Sequence, residues 1–589
     1  MNFNISLKNV LGIGALITAS FLTTSCEDFL DRPTEDNYNT ENFYGSDKAC
    51  IAGVNYLYNS PWYDFQRGFF KVGEVLSGNY YWGSSPYLTF TVNSTDEDLR
   101  NMSYSLWAVN GHASTVYNNI QASDGPSQSV KNQTMGECLL WKAMAYFYLV
   151  RTFGEVPIIH NIAEVIEQGS YNEQYKVLRA DVYEYIIMTL EKAVELLPEK
   201  CAAGRLDKYC AKGLLAKVYL TKAGVSGSLN TDDLAKAASY ADEVIKHSGR
   251  TLMANYADIF RLQNNTCEEN MIAWRWTADG ENWTRQNTLQ SDLAMVGFDE
   301  FGDCWGGYSG PSIDLQEAFG VKPTDNPAMR HDGDARRKAT MMMAGDVYDY
   351  FWQDKGGFDY LKFIYNINPE GYTGDDPYGK GGPGELQSAT GANEVKHLYG
   401  NANDHLSATG VSAMNMASSL CTPLLRLADV YLIYVEAKVL MDGGTTTDAV
   451  ALSRYGDVRG RSVPTYWADE KHSLTFEDVW KERRLELACE GDRWYDFVRL
   501  SYYDVKSAIA EIKAQKRNAW WNLNDVYKTY VGSGAWSVDA TKCMYDTETA
   551  RPNVTESSFT IPFPQEDLVF NPHLSEPAMH VDVRETFAY

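Results

Sequence analysis

Several sequence patterns that would indicate an enzyme or a metal site are missing from this 589-residue chain. The nine histidines include no HExxH motif and no close pair, so nothing indicates a transition-metal site. No GxSxG nucleophile elbow and no CxxC motif occur, and no apolar run is long enough for a membrane span. We therefore expect no catalysis, no metal and no cofactor. The aspartate-rich loops are compatible with a structural calcium ion, which no ligand spacing specifies.

Basic residues are also scarce relative to acidic ones. The net charge is −26 at pH 7, and it becomes −27 once the single lysine of residues 1–25 is removed. Such a chain is repelled by phosphate backbones, so we expect no nucleic-acid partner. Apart from Cys26, nine cysteines remain, which leaves at least one unpaired. Two pairings stay open, Cys201 with Cys210 and Cys267 with Cys304.

The N-terminus has the features of a bacterial lipoprotein signal. Lys8 precedes an apolar run from Val10 to Leu22, about half the length of a membrane-spanning helix. Small residues then lead into Cys26, where an ordinary secretory cleavage site would lie. We predict that residues 1–25 are a signal peptide, that Cys26 is lipidated, and that residues 26–40 form a tether. The alternative is a plain secretory signal with an incidental cysteine.

Apolar residues recur at three- and four-residue steps in two blocks of the chain, which predicts helices. The stripes run over Leu139–Phe147, Val182–Leu197, Ala211–Val218, Leu234–Ile245, Leu424–Val435, and from a capping box at Thr475 and Asp478 to Gly491. We predict a mostly α-helical, tetratricopeptide-like repeat scaffold at residues 41–270 and 421–510. Residues 271–420, rich in Gly, Asn and Tyr, are predicted to be a loop-rich ligand-binding insertion. Residues 511–589 are predicted to be an irregular segment that packs on the scaffold.

Glu486 and Glu490 are the nearest approach to a catalytic carboxylate pair, since the predicted helix places them one turn apart. Three arginines surround them in sequence, Arg483, Arg493 and Arg499. We therefore expect both carboxylates to be ionised, paired with arginine and structural rather than catalytic.

Further segments have a characteristic order and spacing. They are Cys26 to Asp31, Met135 to Pro157, Leu425 to Ala437, Glu482 to Arg499, and Ile561-Pro562-Phe563-Pro564 followed by Asn571-Pro572. Together they resemble the SusD/RagB family of nutrient-binding outer-membrane lipoproteins over nearly the whole mature chain. Thr23 and Val435 depart from the family pattern. The resemblance implies a tetratricopeptide-like scaffold, a surface-exposed place on the cell outer membrane, and a SusC-like TonB-dependent β-barrel transporter as partner.

Aromatic residues make up 13% of the chain, and many lie among turn-forming residues rather than on apolar helical stripes. A flat indole or phenol can cover the C–H face of a sugar ring. We predict ligand contacts from Tyr80, Tyr81, Trp82, Trp283, Trp305 and Tyr308. The alternative is that these rings pack the core. Polar neighbours for sugar hydroxyls are Asn79, Asn282 and Asp303; weaker aromatic candidates are Trp62, Phe351, Trp352, Trp520 and Trp521; Trp141 and Trp480 are expected in the core.

The residues and the resemblance together predict a surface lipoprotein that binds an oligo- or polysaccharide and passes it to the transporter. Peptide cargo is the alternative within the same family. Outside it, the rivals are a surface glycoside hydrolase and a purely structural lid. A hydrolase would need two carboxylates about 5–10 Å apart in the aromatic cleft.

Overall fold

The computed structural model describes residues 43–278, 283–298, 304–365, 382–413, 416–466, 471–549 and 551–589. Cys26, the tether, Asn282 and Asp303 lie outside these residues. In the described part of the chain, no helix has the length and apolar character needed to cross a membrane.

Helices dominate the first part of the chain. In order they are α1 (Asp47–Asn55), α2 (Phe65–Phe70), α3 (Pro86–Thr89), α4 (Glu97–Ala122), α5 (Gln128–Phe153), α6 (Ile162–Glu167), α7 (Arg179–Leu196), α8 (Lys208–Lys222) and α9 (Thr231–His247). A single π-helical turn, Lys71–Val75, continues α2. Helix α4 packs on α5, α5 on α7, α7 on α8, and α8 on α9. This stack of successive neighbours is a helical-repeat array, as predicted.

The middle of the chain contains short elements. Its helices are α10 (Leu289–Leu293), α11 (Ile313–Ala318), α12 (Arg336–Thr340), α13 (Tyr360–Ile364) and α14 (Ala402–Thr409). The longer helices then return as α15 (Leu427–Met441), α16 (Ala449–Gly460), α17 (Phe476–Glu486) and α18 (Arg493–Ala514). Last come α19 (Leu523–Ser533), α20 (Gln565–Phe570) and α21 (Val583–Thr586). Helix α15 packs on α9, so the second block continues the stack begun by the first.

The strands are short and pair only two by two. They are β1 (Tyr80–Tyr81), β2 (Asn270–Trp274), β3 (Gly310–Pro311), β4 (Met341–Met343), β5 (Val347–Tyr348), β6 (Phe358–Asp359), β7 (Ala392–Glu394), β8 (Thr422–Arg426), β9 (Thr445–Thr446) and β10 (Leu474–Thr475). In the described residues, the five strand pairings are all antiparallel: β1 with β3, β2 with β8, β4 with β7, β5 with β6, and β9 with β10. The β2–β8 pair joins the two ends of the middle region, where Trp274 lies opposite Thr422.

The prediction of a mostly α-helical scaffold is confirmed, but two local details of the second block are wrong. Leu424 lies in β8 rather than on the predicted helical stripe, because that segment pairs with β2. The Thr475 and Asp478 capping box is present, but α17 ends at Glu486 rather than at Gly491. Glu490 therefore lies in a turn, where Cys489 and Gly491 both have left-handed backbone angles (φ +64° and +76°).

The aliphatic and aromatic side chains form one large core, a smaller second core and two minor clusters. The large core extends through both helical blocks. The second is built from residues of the middle region, such as Phe298 and Phe358, together with Tyr527 of α19. The last part of the chain thus divides: α19 packs in the second core, whereas Phe559 and Phe563 pack in the large one.

Glu486 and Glu490 are held in a buried ion network, as expected, but by other cations than the sequence indicated. Glu486 pairs with Arg336, Arg426 and Arg461, and Glu490 pairs with Arg426 and Lys396. Although burial opposes ionisation, Arg461, Arg426 and Arg336 lower the pKa of Glu486 to about 2. The arginines close in sequence pair elsewhere: Arg483 with Asp429 and Asp496, Arg493 with Asp496 and Glu511, and Arg499 with Glu436 and Asp496.

The nine cysteines in the described part of the chain are all free thiols. Neither the Cys201–Cys210 nor the Cys267–Cys304 pair is formed. Cys201 donates instead to the carbonyl of Arg205 (3.2 Å), and Cys210 to that of Met271 (3.1 Å).

Replacing Glu490 with Ala should destabilise the fold by about 3–5 kcal/mol, because Lys396 and Arg426 would keep buried charges without this partner. Thermal or urea unfolding measures the loss. Glu477→Ala is the matched control, because that carboxylate is 70% exposed in a surface pair with Lys481 and should change stability by less than about 0.5 kcal/mol. Unchanged stability of the Glu490 variant would contradict a structural role for this carboxylate.

Candidate ligand-binding site

The two segments that carry most of the predicted site residues are brought together by a strand pair. In β1 and β3, Tyr80 lies opposite Pro311 and Tyr81 opposite Gly310. The hydroxyl groups of Tyr80 and Ser309 are 3.5 Å apart. Trp82 directly follows β1, and Trp305 and Tyr308 shortly precede β3, so the strand pair brings these aromatic residues into one region. Residues that are more than 220 positions apart in the chain thus meet.

Trp305 is fixed in place by the turn on which it lies. Its backbone N–H donates to the carbonyl of Ser291 (3.0 Å), and its indole N–H donates to the carboxylate of Asp292 (2.9 Å). Glycine is required at position 306, because a Cβ there would be 2.3 Å from the carbonyl oxygen of Asp292. With its polar edge bonded in this way, the indole remains half exposed.

Trp283 is attached to the same region through the residues around the start of α2. Its ring makes an edge contact with Tyr63, with the two ring centres 6.4 Å apart. The side chain of Gln66 donates to the carbonyl of Gln286 (3.3 Å) and accepts from the N–H of Thr288 (3.1 Å). Burial, followed by the charge of Asp64, raises the pKa of Tyr63 to about 12, so its hydroxyl is protonated at neutral pH.

Helix α2 and the turn after it form the centre of the site. Two cations one helical turn apart, Arg67 and Lys71, connect the aromatic segments. The Lys71 ammonium pairs with Asp98 of α4 and lies 5.1 Å from the ring centre of Trp82. Arg67 Nε lies 3.6 Å from Asp98 and 3.7 Å from Asp292. We call Arg67, Lys71, Asp98 and Asp292 the charged row.

The predicted aromatic residues differ in what they can contact. Trp283, Trp305 and Tyr308 are 47%, 50% and 62% exposed, whereas Tyr81 and Trp82 are partly buried and pack against the large core. Tyr80 is fully buried, with its ring edge-on to Phe70 at 4.8 Å. It cannot touch a ligand at the surface, since consecutive strand residues point to opposite faces and Tyr80 is the inward one. We call Tyr63, Tyr81, Trp82, Trp283, Trp305 and Tyr308 the aromatic surface.

Comparisons with known proteins bear on what this site does. A family profile described as "SusD family" matches residues 215–578, which is more than half of the chain. The chain belongs to the SusD family. A second profile, described as "Starch-binding associating with outer membrane", matches residues 74–220. A "SusD-like protein" of Bacteroides ovatus is 32% identical over 580 residues, covering 95% of this chain and 96% of that one.

Solved structures agree with this assignment. One that was crystallised with a xylogluco-oligosaccharide has a TM-score of 0.73 and 28% identity, and the match covers 92% of this SusD family member and all of the other chain. A SusD-like carbohydrate-binding protein of Bacteroides fragilis has a TM-score of 0.64 over 91% of this chain and 100% of that one. At 19% identity, the second likeness supports the fold alone.

Several of the other sequence candidates are buried. Trp62, Phe351 and Trp352 belong to the two cores, and Asn79 is bonded internally to Glu74 and Arg484. Trp141 and Trp480 are core residues, as expected. Trp520 packs against the second core, while Trp521 is half exposed. In the part of the chain that the structure describes, no group of three His, Cys, Asp or Glu residues could hold a metal ion; the absence of a cofactor remains a prediction.

Sequence reasoning missed the charged row and Tyr63. The sequence indicates the charged row only through the i, i+4 spacing of Arg67 and Lys71 in a segment of buried phenylalanines. This spacing places both cations on one face of a short helix. Their carboxylate partners come from α4 and α10, and no local pattern connects these elements to α2.

Proposed function

We propose that this SusD family member binds a glycan at the cell surface through the aromatic surface. Exposed apolar residues that cluster into one patch often mark a ligand-binding surface. A sugar ring offers a C–H face that an indole can cover without strict hydrogen-bond geometry. The observation that carries the proposal is that exposed Trp283, Trp305 and Tyr308 converge with Trp82 around α2.

The first ligand to test is a xylogluco-oligosaccharide. A relative that matches this chain over 92% of its length, at 28% identity, was crystallised with that ligand. Its backbone of linked pyranose rings is an extended series of C–H faces, which suits several separate indoles better than one deep pocket. Peptide cargo remains the alternative.

Anchoring and transport complete the proposal. Lipidation of Cys26 would hold the protein at the outer membrane, where a SusC-like TonB-dependent transporter is the proposed recipient of the glycan. The lipoprotein binds the glycan reversibly, retains it near the transporter and releases it without chemical change. The family profile that includes "associating with outer membrane" in its description supports this location.

A surface hydrolase is the rival from another class, and Asp98 and Asp292 are the observation in its favour. Burial raises the pKa of Asp292, and the Arg67 guanidinium opposes this shift. A general acid needs a free O–H directed at the glycosidic oxygen. Here Asp292 Oδ1 accepts from Trp305 and its Oδ2 faces Arg67, while Asp98 Oδ2 pairs with Lys71 and its Oδ1 faces Arg67. One oxygen of each carboxylate is thus hydrogen-bonded to the protein and the other lies beside the Arg67 cation, an arrangement that favours binding over hydrolysis.

Replacing Trp305 with Ala should weaken xylogluco-oligosaccharide binding by about 1–3 kcal/mol, and Trp82→Ala should do the same, because each removes a flat apolar contact. Isothermal titration calorimetry measures the affinity. The melting temperature of the Trp305 variant should change little, because half of this side chain is already in water.

Trp521→Ala is the matched control, because Trp521 is also 50% exposed and makes no described contact with the aromatic surface. It should leave both affinity and melting temperature unchanged. A Trp305 variant with wild-type affinity and a much lower melting temperature would show that this indole is a packing residue.

Replacing Cys26 with Ala should release a folded protein from the outer membrane, because the acyl chains are the proposed membrane contact. Detergent phase separation and membrane fractionation measure the distribution. Recovery of the variant in the detergent phase, in the same proportion as the wild type, would show that the anchor lies elsewhere.

A further inference from the structure

Arg67 has hydrogen-bonding capacity that the described residues do not use. Its side chain is 51% exposed, and its closest approach to a carboxylate is by Nε, at 3.6 and 3.7 Å from Asp98 and Asp292. No described residue accepts a hydrogen bond from either of its terminal amino groups. The guanidinium therefore presents unused N–H donors beside the carboxylate that holds the Trp305 indole.

The charged row is electrically balanced. Arg67 and Lys71 carry two positive charges, and Asp98 and Asp292 carry two negative charges when ionised. Within the described part of the chain, the row is thus polar without a net charge, in a protein whose total charge is strongly negative.

A balanced row of this kind suits hydroxyl groups. A hydroxyl group can accept a hydrogen bond from the Arg67 guanidinium and donate one to a nearby carboxylate, so it can bind to both the cations and the anions of the row. A uronic acid would place a third carboxylate beside Asp98 and Asp292, and like charges a few ångströms apart repel one another strongly where water is partly excluded. The guanidinium offsets only part of this cost, because it also faces Asp98 and Asp292.

We propose that Arg67 is a specificity-determining residue of the glycan site: its terminal amino groups donate to ring hydroxyls, and Asp98 and Asp292 restrict the ligand to neutral glycans. This proposal rests on the proposed function, and it adds a polar determinant and a charge class to the aromatic contacts.

The first test measures xylogluco-oligosaccharide affinity for Arg67 variants. Arg67→Met keeps the aliphatic stem and removes the donors, so affinity should fall at least about tenfold. Arg67→Lys keeps the charge but not the planar fork, and should recover only part of the loss. Arg100→Met is the control, because Arg100 is a similarly exposed arginine of α4 that pairs with Glu97 and Glu566; its affinity should equal the wild type's.

The second test uses an oligogalacturonate of matched length. The wild type should bind the neutral ligand and not the acidic one. Asp292→Asn preserves an acceptor for the Trp305 indole while removing one negative charge, so this variant should acquire measurable oligogalacturonate binding that added salt weakens.

Two results would overturn the proposal: wild-type affinity in Arg67→Met when Trp305→Ala has lost binding, or equal binding of acidic and neutral ligands by the wild type. Failure of the proposed function has a different signature. In that case the wild type binds neither ligand, or Trp82→Ala and Trp305→Ala bind as well as the wild type. Either result would also remove the proposed role of Arg67.

Discussion

The buried carboxylate of Glu74 is the interaction on which the binding surface depends. It accepts hydrogen bonds from the backbone N–H groups of Cys489 (3.0 Å) and Gly491 (2.7 Å), and from the side chain of Asn79 (2.9 Å). Glu74 lies in the turn that continues α2, and the two N–H groups belong to the strained turn after α17. One side chain therefore fixes the helix of the charged row to the second helical block.

The close approach of the two backbones shows how tight this attachment is. A Cβ on Gly73 would lie 2.2 Å from the carbonyl carbon of Gly491, and a Cβ on Gly491 would lie 2.2 Å from the Phe69 ring, so both positions require glycine. The same turn carries Glu490, whose carboxylate is held by Arg426 at the end of β8. Strand β8 in turn pairs with β2 and so closes the middle region. The turn at residues 489–491 therefore contacts α2, the second helical block and the strand pair that closes the middle region. Such buried ionic contacts contribute more to a unique arrangement than to net stability.

The scaffold was predictable because the long helices contain apolar residues at a helical period. The stripes that begin at Val182 and Leu234 lie in α7 and α9, as predicted. Helix α4 was missed, because serine, asparagine and histidine interrupt its apolar face over 26 residues. The end of α17 was also misplaced, since the turn that replaces its last predicted residues is held by Glu74, more than 400 positions away.

The site was predictable only in part, for a related reason. Aromatic residues among turn formers pointed to the right segments, but exposure depends on partners: Tyr80 is covered by Phe70, while Trp305 is left half open by its bond to Asp292. Tyr63 and the charged row gave little signal, because three elements distant in sequence assemble them.

The indoles around α2 are the proposed glycan contacts. Fluorine NMR of the protein labelled with 5-fluorotryptophan, with each signal assigned by a Trp→Phe variant, tests this proposal most directly. On titration with a xylogluco-oligosaccharide, the signals of Trp82, Trp283 and Trp305 should move, while those of the core residues Trp141, Trp274 and Trp494 should stay in place. Glycan binding that leaves these three signals unmoved would show that the ligand binds elsewhere on the protein.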